Sequence, residues 1–107
     1  MTTPVAVCLA VIIVLSGPAA AQDADARAGR LTAETNCAEC HGVRAGQLAS
    51  PAASAPSFEK IANTPGMSPL ALQAALQTSH RTMPNVMLEP GELRDIVGYI
   101  LTLKRGN

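Results

Sequence analysis

Apolar residues along this chain fall into one continuous block near the start and a few helical stripes further on, with no alternating run that would make a strand. Val5 to Leu15 reads VAVCLAVIIVL without a break, and Ser16-Gly17-Pro18 and Ala19-Ala20-Ala21-Gln22 follow it. An apolar block, a helix-breaking stretch and small residues at a cleavage site make the layout of a secretory signal peptide. The block falls well short of the roughly 20 apolar residues that a membrane-spanning helix needs. Cleavage after Ala21 is therefore expected, giving a signal peptide over 1–21 and a mature domain over 22–107 with no membrane span. No Lys or Arg precedes Arg27, so the α-amino group is the only positive charge ahead of the block. Cys8 lies inside the block, too early to be a lipid-attachment site.

The stripes begin after the expected cut. A first helix is predicted from about Asp25 to Thr35, with Leu31 and the small residues Ala28, Gly29 and Ala33 permitting close approach of another helix. Phe58 to Ala62 suggests one helical turn. Ser68-Pro69 supplies an N-cap and a first helical position for a segment reaching about Thr78, which carries Leu70, Leu72, Ala74, Ala75 and Leu76. A last helix opens at Pro90 with Glu92 at its positive end, and Leu93, Ile96, Val97, Ile100 and Leu103 or Lys104 repeat at i, i+3, i+4, i+7. Lys104-Arg105-Gly106 closes it. From Gly42 to Pro56 the Gly, Ser, Pro and Ala content reads as an irregular loop. The prediction is an all-α fold of three to four short helices.

Composition sharpens this picture. The 107 residues are 48% hydrophobic, yet the aromatics are Phe58 and Tyr99 alone, with no Trp. Basic and acidic residues balance at 8 each, and all of them lie in the expected mature portion. That balance argues against nucleic-acid binding and against strong electrostatic steering of partners. A domain this small with so aliphatic a core usually needs a staple such as a metal, a disulfide or a cofactor.

The staple is sought in Cys37-Ala38-Glu39-Cys40-His41, the place of both cysteines that survive cleavage. A redox disulfide pair would sit after a strand in a βαβ context, whereas the preceding segment reads as helix. A zinc site would want four ligands at paired spacing, and only His80 remains downstream. The third reading is covalent attachment of one haem, in which Cys37 and Cys40 reach the two vinyl groups as thioethers and His41 is placed under the iron. Export, small size and the missing aromatic core agree with it. A second axial ligand would come from Met67, His80, Met83 or Met87. Met67 follows Pro65-Gly66 in a turn and reads as loop packing; Met87 reads as core filling and is the closest competitor to Met83. His80, at the end of a short helix beside Arg81, reads as an exposed partner of the helix dipole.

With these parts in this order, the chain resembles the small class I cytochromes c of bacteria over essentially its whole mature length. The resemblance rests on Gly29 ahead of the CAECHG motif, on Ala55-Pro56-Ser57-Phe58, on Thr82-Met83-Pro84-Asn85 and on Tyr99 in the last helix. It implies that Met83, immediately before Pro84, is the distal ligand opposite His41. It implies too that the Pro56 carbonyl orients His41, and that Gly29 meets Tyr99 where the first and last helices cross. Arg44 and Arg81 are candidate partners of the haem propionates. The implied function is that of a periplasmic electron carrier, not an enzyme, with redox partner proteins and the haem c maturation machinery as its partners. The alternatives are a haem subunit permanently bound to a periplasmic dehydrogenase, and a gas-binding or sensing haem protein.

Overall fold

The computed structural model of the chain describes residues 1, 23–78, 80 and 82–106. The expected signal peptide, Cys8 and Arg81 lie outside the described residues. Among those described there are four helices and no strand: α1 (Ala26–Asn36), α2 (Phe58–Ala62), α3 (Pro69–Gln77) and α4 (Pro90–Thr102). None is long and apolar enough to cross a membrane.

Each helix starts on a local signal. The Asp25 carboxylate caps α1 by accepting from the N–H groups of Arg27 and Ala28 at 3.0 and 3.1 Å. Ser57 and Ser68 cap α2 and α3 through the N–H groups of Lys60 (3.2 Å) and Ala71 (3.1 Å). Pro69 and Pro90 occupy first-turn positions where their missing N–H costs nothing. At α4 the N-cap is Glu89, and Glu92 reaches back to accept from its N–H at 3.0 Å, which satisfies a donor the helix itself cannot use.

α4 is the hub. α1, α2 and α3 each pack on it, while no two of the other three pack on each other. It buries Leu93, Ile96, Val97, Tyr99 and Ile100, and Ile96 and Ile100 are essentially inaccessible. α1 lies closest, because its contact face is made of Gly29 and Ala33. A Cβ placed on Gly29 would run into the Asp95 carbonyl and stand 2.9 Å from Tyr99 Cβ. The crossing is pinned at its end by the Asp25 N–H, which donates to Asp95 Oδ1 at 2.9 Å.

Leu31 and Leu70 differ from the sequence expectation. They are 60% and 75% exposed, because α1 and α3 turn their small or neighbouring residues to the core and these leucines outward. α3 buries Leu72 alone.

The stretch after His41 has no regular structure, yet it is closely stitched. Gly42 N–H donates to Ser50 Oγ at 3.0 Å, Val43 and Arg44 N–H to Gln47 Oε1 at 3.1 and 3.3 Å, and Gly46 N–H to Glu59 Oε2 at 2.8 Å. Tyr99 ties this loop to α4: its buried hydroxyl donates to the Val43 carbonyl at 2.5 Å. Tyr99→Phe would leave that carbonyl, in a residue 2% exposed, without its donor. The expected cost is about 1–3 kcal/mol, read as a lower urea midpoint with an unchanged slope. Burial also pushes the Tyr99 phenol above its ordinary value. The stability that goes with the neutral phenol is complete below about pH 10 and falls as pH rises through the raised value, so the substitution should remove that alkaline loss.

Candidate haem-binding site

α1 delivers the cysteine motif. Its C-cap is Cys37, whose N–H donates to Ala33 O at 2.9 Å, and the chain then turns back on itself. Cys40 and His41 N–H groups both donate to the Cys37 carbonyl, at 3.2 and 2.9 Å. This single turn sets the two thiols and the imidazole along one edge. Cys37 is buried and Cys40 exposed, and both are free thiols. Burial pushes the Cys37 thiol up to about 11, which holds it protonated at neutral pH.

His41 is fixed from two sides. Its Nδ1 lies 2.6 Å from the Pro56 carbonyl oxygen. A carbonyl can only accept, so this bond puts the ring proton on Nδ1 and leaves the lone pair on Nε2. Phe58 packs on the ring with centroids 5.6 Å apart at an interplanar angle of 52°. Phe58 N–H in turn donates to Gly42 O at 2.8 Å, so the segments on either side of the loop hold one another.

Cys37, Cys40 and His41 form one wall of a cavity of about 470 Å³. Phe58, Ile61, Leu72, Leu76 and Ile100 supply its apolar surfaces, and Met67 adds a thioether from the turn before α3. The connection between α3 and α4 also lines it, with His80, Thr82, Met83, Pro84 and Val86. Pro56 lines the cavity as well.

The structure thus brings Cys37, Cys40, His41, Pro56 and Met83 together, with His80 beside them. Met87 stands apart: it is 91% exposed and absent from the cavity wall, so it neither fills the core nor faces the site. His80 lies beyond the end of α3 rather than on its last turn. Arg44, one of the two candidate propionate partners, is not among the residues lining the cavity. Its Nε sits 3.5 Å from Glu34 Oε1, which Arg30 also engages at 3.0 Å, and Arg44 lines a separate surface hollow. That network holds the Glu34 carboxyl below its usual range, chiefly through the Arg30 hydrogen bond. Among the described residues no group of three or more His, Cys, Asp or Glu side chains is placed to hold a metal ion.

A family model described as cytochrome c oxidase, cbb3-type, subunit III matches residues 24–100. The chain belongs to the cytochrome c family. It is 39% identical over 98 residues to cytochrome c-552 of Bradyrhizobium diazoefficiens, covering 92% of each chain. No solved structure matches this cytochrome significantly.

Cytochromes c bind haem c, and the cavity fits that group. Apolar walls around such a volume stay in contact with water unless a large apolar group covers them, and covering them is favourable in proportion to the apolar area buried. The donor set matches too, with two thiols, an imidazole whose Nε2 is left free, and the Met83 thioether among the residues lining the same cavity. The role of Phe58 beside His41 was not legible from its pattern. The signal available was that the sole Phe follows Pro56 by two residues.

Proposed function

We propose that this cytochrome c is an exported, periplasmic carrier of single electrons, with Cys37 and Cys40 as the thioether attachments, His41 as the proximal ligand through Nε2, and Met83 as the distal ligand. The carrying observation is that His41, with its proton held on Nδ1 by Pro56, shares one apolar cavity with Met83. When bound, haem c supplies the one-electron Fe(III)/Fe(II) couple. The Pro56 carbonyl sets the orientation and basicity of His41, and Pro84 stiffens the backbone behind Met83 so that less entropy is lost in holding the thioether. Ile61, Leu72, Leu76 and Ile100 exclude water, and a thioether in such surroundings favours the reduced state. Export follows from the signal peptide read over residues 1–21.

Met83→Ala is expected to abolish the long-wavelength sulfur-to-iron charge-transfer band of the oxidised protein. Survival of the band would sink the assignment of Met83.

Zero formal net charge favours brief docking over long-range steering. A second reading, a haem subunit that stays on a larger oxidoreductase, draws on the description of the matched family model, which is of an oxidase subunit. Cytochrome c-552, matched over 92% of both chains, is a relative of similar length. Size-exclusion of native extract separates the two: the carrier elutes at its own mass and a subunit with its enzyme. Rapid CO binding to the reduced form would instead favour a gas-binding role.

A further inference from the structure

The reading above employs His41 and Met83 and leaves one nitrogen donor of the cavity without a task. His80, three residues ahead of Met83, lines the same cavity. It is exposed to solvent as well, and among the described residues no hydrogen bond or ion pair engages its imidazole. It stands on the connection between α3 and α4, and none of the described residues between Thr78 and Pro90 is helical.

The other sulfur donors are less available. Met87 is 91% exposed and off the cavity wall. Met67 lines the cavity but is held at its backbone, where its N–H donates to Thr64 O at 3.0 Å and its carbonyl accepts from Lys104 Nζ at 3.4 Å.

We infer that His80 is a reserve axial ligand, which takes the distal iron position whenever Met83 leaves it. The exchange breaks one iron–sulfur bond and forms one iron–nitrogen bond, with no change of oxidation state. Imidazole is the better partner for Fe(III) and thioether for Fe(II), so the exchange belongs to the oxidised protein. A ligand tethered three residues away needs to travel no more than roughly 10 Å of chain, and tethering raises its effective concentration to the order of millimolar. This inference rests on the assignment of Met83.

The test uses the holoprotein with haem attached, as Met83→Ala, His80→Ala and the double variant, each oxidised and followed by electron paramagnetic resonance and visible spectroscopy. Met83→Ala should lose the sulfur-to-iron band yet remain low-spin with the signature of two imidazoles. The double variant should become high-spin. Added imidazole, the probe ligand, should bind Met83→Ala at least about tenfold more weakly than the double variant, because His80 competes for the same position. A high-spin Met83→Ala, or equal imidazole affinity in the two, overturns the inference while leaving Met83 as ligand. Retention of the band in Met83→Ala overturns the Met83 assignment instead. Met83→Leu, which keeps the side-chain volume, gives the same comparison if the alanine variant does not accumulate.

Discussion

Without haem, the mature chain is expected to be largely unfolded, with little helical circular dichroism and no cooperative urea transition. The residues that would have to fold it are few. The core consists of Val43, Phe58, Leu72, Leu93, Ile96, Val97, Tyr99 and Ile100 with Ala33, Ala62 and Cys37, and only Ile96, Ile100 and Val43 of its large side chains are essentially inaccessible. Against this stands the cavity of about 470 Å³, whose apolar walls are left to water when haem is absent, so the burial they would contribute is lost. Small domains are stable by only about 5–15 kcal/mol in all, so a missing central group of this size is a large part of the margin. Replacing Cys37 and Cys40 by Ser prevents attachment and allows the measurement. A compact apoprotein with a sharp transition would mean that the helices around α4 are sufficient by themselves, and the account of the core would fail.

The second large effect is expected at the helix crossing. Gly29→Ala adds one methyl group, but that group meets the backbone carbonyl of Asp95 and stands 2.9 Å from Tyr99 Cβ. Backbone cannot rotate out of the way as a flexible side chain can. The helices must separate, and separation strains both the Asp25 to Asp95 bond and the Tyr99 to Val43 bond. Overpacking usually costs about 1–3 kcal/mol, and the loss here should lie at or above the top of that range. For a domain of this size that is roughly a 12 °C fall in Tm or more, measured on the holoprotein by the far-ultraviolet signal. An unchanged Tm would show that the crossing is looser than the structure has it.

These two features were legible in the sequence to different degrees. The two helices were readable from their caps and prolines, whereas the meeting of Gly29 with Tyr99 came from the resemblance to class I cytochromes c. The cysteine turn was readable because its spacing alone brings two thiols and an imidazole to one edge. What escaped were matters of which way a face turns. Leu31 was expected near the core, yet α1 meets α4 through Gly29 and Ala33, and hydrophobicity is a poor guide when small residues make the contact. Met87 and Met83 are alike as side chains, and only the path of the connection into α4 puts one on the cavity and the other in solvent. Arg44 was a candidate for the propionates or for the surface, and its ion pair with Glu34, one helical turn from Arg30 on α1, was not foreseen.

The dependence of every other helix on α4 has a temporal side. α1 finds its packing partner at the far end of the chain, and a contact spanning about the whole domain closes late, after the cost of a long loop has been met. Synthesis runs from the amino terminus, so α1 and the cysteine turn behind it emerge well before α4 exists to receive them. Because the chain without haem is expected to be unfolded, the closure of α1 on α4 is expected to follow haem attachment rather than precede it, so the cysteine turn stays open even in the complete chain until the group is in place.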